Sequence, residues 1–414
     1  MSREPEIDSL LAIRDSRSIH DSMETLGIYV QVPFCASKCS FCNFTSKVGL
    51  AGALDVYCHA LEHEIACLPA LYEANQIGLK VLALPVDTIY IGGGTPSLLG
   101  MERLRRIVSA LRGRFEPRET AEFTLEVTPG SADDDLLDAV LRLGVDRLSI
   151  GAQSFDDGEL RCVGRLHSAA VTHDLVNRAR CAGFKNISLD LIAGLPHQSE
   201  SSWLESLRQA IRLRPEHLSV YLFEVDERSR LGSEVLGHGT RYGAAQVPSD
   251  DFMADAYVTA CELLLKKGYV HYEISNFALP GFESRHNRRY WRLKPYVGLG
   301  AGAHSFDRYR RWSNETAPQV YQDKLARGVS PISELRLLSS EEQLEEFFFL
   351  GLRLCQGVDL TRARRRWGRD QVARWEPRIR ALAADGWLEV NDDSVRLPPR
   401  AYLVSNEIFQ EFLV

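Results

Sequence analysis

Short runs rich in β-branched and aromatic residues recur through the first half of the chain, each followed by a turn and a stretch in which apolar residues return every three or four positions. Six of these runs are predicted to be strands: 27–32 (GIYVQV), 87–91 (DTIYI), 122–127 (EFTLEV), 147–150 (RLSI), 187–192 (ISLDLI) and 217–223 (HLSVYLF). Helices are predicted between them at 53–73, 98–112, 132–143, 168–182 and 200–213. Such alternation predicts an α/β fold with a parallel sheet and right-handed crossovers, doubly wound or curled into a barrel.

The rhythm changes after Phe223. A helix at 250–267 leads into a Gly-, aromatic- and Arg-rich region, 269–312, with YEISNFA, HNRRYW and GLGAGAHSF. From Ser339 helical periodicity returns, and GWLEVNDDSVRLPP reads as a hairpin turning at 391–394. Two helices followed by a hairpin predict a small helical, winged-helix-like domain. The organisation is therefore an N-terminal extension (1–26), an alternating α/β region (27–235), a segment that completes it (236–335) and the C-terminal domain (336–414).

Composition narrows the class. The 414 residues are 45% hydrophobic and 25% charged, with 49 Lys and Arg against 56 Asp and Glu, for a net charge of -7. No run approaches the ~20 apolar residues of a membrane span, and the first 25 residues carry no apolar signal block. A cytoplasmic protein is expected. The acidic balance offers no global attraction to nucleic acid.

Nine cysteines change the picture more. An odd number in a reducing compartment argues against a disulfide framework. Cys58, Cys67, Cys162, Cys181, Cys261 and Cys355 stand alone and are expected to be small buried apolar groups. Cys35, Cys39 and Cys42 crowd onto one loop straight after the first strand. Thiolates at this spacing can wrap one compact metal centre, and the carboxyl end of a strand is where parallel α/β folds bind ligands. A ferredoxin would need a fourth cysteine and a C-x2-C-x2-C-x3-C-P run, and a structural zinc site would need a fourth protein ligand. Three ligands and a vacancy point to a reactive iron–sulfur cluster.

Other positions join this loop. The run Gly92-Gly93-Gly94-Thr95-Pro96 ends the second strand and lets a ligand approach the backbone, but lacks the Gly-Lys-Ser/Thr of a P-loop. Glu126 and Asp190 are carboxylates in apolar strands, which is costly unless each meets a ligand or a core Arg or Lys. Arg165 offers a planar fork for a carboxylate, or makes a surface ion pair.

The C-x3-C-x2-C loop resembles that of the radical S-adenosylmethionine (SAM) superfamily. YVQVPFC, GGGTPS, GAQSFDD, LDLIAGLP, YEISNFA and GLGAGAHSF extend the likeness to the family of oxygen-independent coproporphyrinogen III dehydrogenase. The resemblance implies a partial (β/α)6 barrel, a [4Fe–4S] cluster on Cys35, Cys39 and Cys42, and SAM chelating its unique iron. By motif position it implies SAM contacts from Tyr29, Phe41, Gly93, Gly94, Thr95, Glu126, Gln153, Arg165, Asp190 and His304. The dehydrogenases carry a further cysteine where this chain has Phe44, and a longer N-terminal arm than the 26 residues here. Conversely, His286-Asn287-Arg288-Arg289-Tyr290-Trp291 fits the H-N-x-x-Y-W signature of the family's haem-chaperone branch. That branch implies haem as a third cofactor with His286 as its ligand, haem-accepting respiratory proteins as partners, and a peripheral contact at the inner membrane face. Without the family context His286 reads as a capping or core histidine. The basic run 362–369 (RARRRWGR) is the one candidate for membrane contact and otherwise a solvated helix face. Two other functions stay open: the dehydrogenase itself, and a radical RNA-modifying enzyme, which the acidic balance opposes.

Overall fold

The computed structural model describes residues 24–49, 51–391 and 393–413. All six predicted strands are present: Leu26–Val32 (β1), Val86–Gly93 (β2), Pro117–Val127 (β3), Arg147–Gln153 (β4), Ile187–Ala193 (β5) and His217–Leu222 (β6). They pair in parallel in chain order. A doubly wound sheet would reverse direction partway, so this order is that of a barrel wall.

Residues after the sixth strand extend both edges of this sheet. Val270–Glu273 (β7) and Asn276–Ala278 (β8) join the β6 edge antiparallel, whereas Tyr296–Leu299 (β9) runs parallel to β1 and carries His304–Phe306 (β10), Arg310–Asn314 (β11) and Ile332–Leu337 (β12) outward. The result is one twelve-stranded sheet, β12-β11-β10-β9-β1-β2-β3-β4-β5-β6-β8-β7.

Helices form where apolar periodicity and caps agree. Asp133 accepts the N–H of Leu136 at the start of the helix Asp134–Arg142, Ser199 and Ser202 make a capping box for Glu200–Arg212, and Gly183 supplies the left-handed residue that ends Ala169–Ala182. Their apolar stripes cover the outer face of the strands, where Ile28, Val30, Leu125, Leu148 and Leu189 are wholly or almost wholly buried.

The opposite face of the same strands is polar. Tyr29, Tyr90, Thr124 and Arg147 form one row across β1 to β4, and Glu126 and Ser149 lie in the next, with Ser188 beside Ser149 and His217 on its far side. Eight-stranded barrels fill that space with Val, Ile and Leu. Here each polar group needs a partner, water or a ligand.

The C-terminal region contains the helices Ser340–Gly351, Leu360–Trp367 and Glu376–Ala384, with the hairpin Glu389–Val390/Ser394–Arg396 paired to Val358–Asp359. This is a winged-helix arrangement. Its arginine run is engaged within the domain: Leu360 and Ala363 are buried, Arg364 pairs with Glu376 and Arg366 reaches Gln343. Among the described residues no helix is long and apolar enough to cross a membrane.

All nine cysteines are free. Of the six expected in the core, Cys58 alone is fully buried; Cys67, Cys162, Cys261 and Cys355 are partly covered, and Cys181 is exposed. That last position corrects the expectation: helical periodicity turns residue 181 away from the face that packs on the sheet. The N-terminal extension, apart from its last three residues, lies outside the described residues.

Candidate cofactor site

The cysteine loop is a closed lobe at the carboxyl end of β1. Phe34 and Cys35 pair with Lys47 and Val48, so the lobe is pinched at its base. Its far side is fastened at Ser40, whose N–H donates to Val163 O (3.0 Å) and whose carbonyl accepts from Leu231 N (2.8 Å). Arg230 bonds the Lys38 carbonyl, Asn43 donates to Asp226 (2.7 Å), and Phe41 packs on the small apolar cluster of Val163, Ile192, Leu195, Phe223 and Leu231. The three thiols are each partly exposed on this pinned lobe.

Among the described residues no three His, Cys, Asp or Glu groups lie close enough to hold a single metal ion. Three partly exposed thiols on one pinned loop suit a [4Fe–4S] cluster, in which each would meet a different iron. Burial pushes the Cys42 thiol up, with Cys39 and Cys35 adding to the effect. A cationic metal centre would reverse that preference.

The glycine run has a reason beyond ligand approach. Gly94 N donates to Val32 O (2.8 Å) and Thr95 N to Phe34 O (2.7 Å), and a Cβ at Gly94 would overlap the Phe34 carbonyl. At Gly93, with φ +112°, a Cβ would stand 2.6 Å from the Gln31 side chain. These glycines let the cysteine loop lie directly against β2.

Glu126 faces them. Its carboxylate accepts from Gly93 N and from the Tyr90 hydroxyl, both at 2.9 Å, and burial pushes it up to about 7. Asp190 is also raised by burial and accepts from Ser149 (3.4 Å). Neither carboxylate makes an ion pair with the core arginine, Arg147, that stands near both. Tyr29 bonds Gln31 (2.7 Å) and stacks on Tyr90. Arg165 makes no surface ion pair: it donates to Gly151 O (2.5 Å) and to Cys39 Sγ (3.6 Å), its Nε left without a partner. Gln153 ends β4 with φ +67°, strain of the kind that accompanies binding sites. Glu126, Gln153, Arg165 and the glycine run therefore gather with the cysteine loop around one end of the barrel, with Asp190 on the neighbouring strand, whereas Tyr29 lies lower, level with Tyr90 and Arg147 and with its ring centroid 6.2 Å from that of His286.

His304 stands apart. It opens β10 with an exposed side chain near Glu334 and Arg311. The preceding GLGAG loop does reach the site: Gly300 N donates to Glu64 (2.8 Å), Ala301 N to the Tyr57 hydroxyl (2.9 Å), and Tyr57 in turn donates to Gln31 O (2.8 Å).

His286 lies at the other end. The helix Arg285–Trp291 sits across the amino-terminal ends of β2 and β3, where Glu122 accepts the N–H groups of Arg285 and His286 (2.9 Å each). The imidazole is 1% exposed, with Nδ1 2.9 Å from Thr88 Oγ1 and Nε2 2.8 Å from the Tyr290 hydroxyl. Burial, reinforced by Arg147, pushes it down to about 3, so it is neutral. Neither nitrogen is free for iron in this arrangement. Arg289 of the same motif is buried against Asp87, Thr25 O and Pro295 O.

Residues that motif reading did not reach include Arg147, Thr124, His217 and Tyr272, all bordering the barrel interior. The signal available was a polar residue at every second strand position, as in RLS and HLSVY.

Residues 29–210 match the Radical SAM superfamily and residues 338–404 the HemN C-terminal domain. A Bacillus subtilis protein named "Heme chaperone HemW" is 33% identical over 93% of this chain and 98% of its own length. The chain belongs to the radical SAM superfamily, in the HemN-like family that includes the HemW proteins. HemW proteins of Lactococcus lactis (31% identical, 93% and 97% covered) and Escherichia coli (35%, 67% and 69%) resemble it similarly. The HemN-like fold is seen in the solved structure of coproporphyrinogen III oxidase (HemN) from E. coli, with a TM-score of 0.81 over 94% of this chain and 90% of that one at 24% identity. Radical SAM membership implies a [4Fe–4S] cluster and SAM.

Proposed function

We propose that this protein is a haem chaperone: it binds a [4Fe–4S] cluster through Cys35, Cys39 and Cys42, SAM at the adjoining barrel mouth, and haem, which it passes to respiratory haem proteins. The observation that carries this reading is the full-length similarity to proteins named heme chaperone HemW. The HNRRYW helix, placed as a unit at the barrel base, supports it.

Cluster and SAM, when bound, supply one-electron chemistry. The chain's own part is positional. Gly94 and Thr95 tie the base of the cysteine loop to β2, Gly93 N holds Glu126, Arg165 reaches from Gly151 to Cys39, and Glu126, raised to about 7 by burial, has its proton balance set by whatever docks beside it. Ligation of haem by His286 entails release of Nε2 from Tyr290. A peripheral membrane contact belongs to this proposal only as a site of delivery.

The alternative, oxidation of coproporphyrinogen III, is disfavoured by Phe44, which is 65% exposed and offers no ligand where the dehydrogenases carry a cysteine. The deciding experiment is anaerobic reconstitution followed by haem titration and, separately, incubation with SAM and coproporphyrinogen III. A His286-dependent Soret band with no protoporphyrinogen is expected; protoporphyrinogen formation overturns the reading.

A further inference from the structure

The two edges of the twelve-stranded sheet end differently. At β7 the chain covers its own edge: Cys355 N donates to Tyr272 O (3.1 Å), Ile274 N donates to Arg353 O (3.1 Å), and Glu273 forms an antiparallel bridge with Leu354. At the opposite edge β12 is paired on one side with β11, and among the described residues no strand pairs with its other side. Ser333 to Leu337 are all exposed, Leu335 by 43% and Leu337 by 68%.

The backbone of this edge is unmet as well. Leu338 N donates inward to Tyr309 O (2.7 Å). Successive residues of a strand turn their N–H and C=O groups to opposite sides, so Leu337 and Leu335 present theirs outward. An open edge with exposed leucines is a template for another strand.

Charge on an edge strand ordinarily discourages such pairing, and β12 carries two charges, Glu334 and Arg336. Here their signs and spacing favour one arrangement. When two identical strands pair antiparallel about a two-fold axis at Leu335, each Glu334 falls directly opposite Arg336 of the second copy, and Leu335 falls opposite Leu335. Directly opposed residues share a face, so both ion pairs form on one face of the extended sheet and the leucines meet on the other. Moving the axis by one residue sets Glu334 against Glu334 or Arg336 against Arg336. The strand is thus complementary to itself in one register.

Both charges are available for it. Glu334 makes no ion pair among the described residues and has only His304 near it. Arg336 bonds Glu342 of its own chain, which leaves further donors of its guanidinium free.

We propose that β12 is a self-association surface that joins two copies of this chain edge to edge, antiparallel about Leu335. This inference does not rest on the chaperone reading. A pair of six-residue strands is smaller than a standard interface, so a reversible dimer is expected rather than a permanent one.

The test is sedimentation velocity on the full chain with its cluster reconstituted anaerobically, from roughly 1 to 200 µM. Wild type is expected to pass from monomer to dimer across that range. Glu334→Arg and Arg336→Glu each set like charges opposite one another at two symmetry-related places, and each is expected to weaken association by roughly tenfold or more. An equimolar mixture of the two restores opposite charges and is expected to form the mixed dimer that neither forms alone. Leu335→Asp and Leu335→Lys repeat the design at the axis without touching Glu342: each alone is expected to be monomeric, and their mixture to associate. This second pair carries the test should Arg336→Glu not fold, which a thermal melt reports. A mixed dimer in either mixture supports the proposal. It is overturned if wild type stays monomeric throughout, if the single variants associate as tightly as wild type, or if neither mixture associates more tightly than its components.

Discussion

The hydroxyl of Tyr290 lies 2.8 Å from Nε2 of His286, so the motif that resembles a haem-binding signature locks its own histidine inside the protein. With Nδ1 against Thr88, the imidazole has no free nitrogen. Coordination of iron and this hydrogen bond are mutually exclusive. Tyr290→Phe is therefore expected to tighten haem binding by roughly fivefold, the worth of one neutral hydrogen bond, and His286→Ala to abolish the histidine-dependent Soret band. Equal haem affinity in wild type and Tyr290→Phe, measured by titration, would place the iron ligand elsewhere.

Iron content tests the cluster ligands. Alanine at Cys35, Cys39 or Cys42 is expected to remove the brown chromophore after anaerobic reconstitution. Cys58→Ala, a change in a fully buried residue of the helix Ala51–Ala74, is expected to keep full iron while costing about 1 kcal/mol of stability.

Gly94 tests the support of that loop. A methyl group there meets backbone, the Phe34 carbonyl, which cannot rotate away. Gly94→Ala is expected to destabilise the protein by about 1–3 kcal/mol and to lower iron retention, read from a thermal melt and an iron assay. Gly52→Ala, with nothing near the new methyl, is expected to do neither.

The buried acid behind the GLGAG loop predicts a pH dependence. Glu64 accepts from Gly300 N, Asn314 and Tyr321, and burial raises it from its ordinary 4.5 to about 7. Between those two pH values the folded chain holds a proton that the unfolded chain has released, so this group favours the fold at low pH and its contribution falls as pH rises to about 7. The loss amounts to about 2–3 kcal/mol. Urea melts of wild type and Glu64→Gln are expected to show their stability difference shifting against wild type from pH 5 to pH 8; a difference independent of pH would mean Glu64 titrates normally.

The six barrel strands, the crossover helices and the C-terminal hairpin were legible because each rests on a local rule: alternation within a strand, a 3.6-residue stripe on a helix, Asn391 accepting from Ser394 in a turn. The cysteine loop was legible for the same reason, its three thiols lying within eight positions. Three outcomes were not. Cys181 was expected in the core, and its exposure depends on which helix face meets the sheet. His304 shares a motif with the GLGAG loop, but the antiparallel return of β10 turns it toward Glu334 and Arg311. Glu126 and Asp190 stood out as carboxylates in apolar strands; Arg147, in the equally plain RLSI, did not, because an arginine at the start of a strand is usually exposed.

By itself the sequence determined the parallel α/β architecture, the clustering of three cysteines on one loop and the kinship those motifs imply, since spacing along a chain is enough to specify each. The tertiary structure alone decided that His286 and the cysteine loop occupy opposite ends of the barrel, that the glycine run serves chain-on-chain contact, and that Arg147 is buried with its Nε and Nη1 unpartnered. Those are relations among strands far apart in sequence, set by register and by the curl of the sheet, which local propensity does not encode.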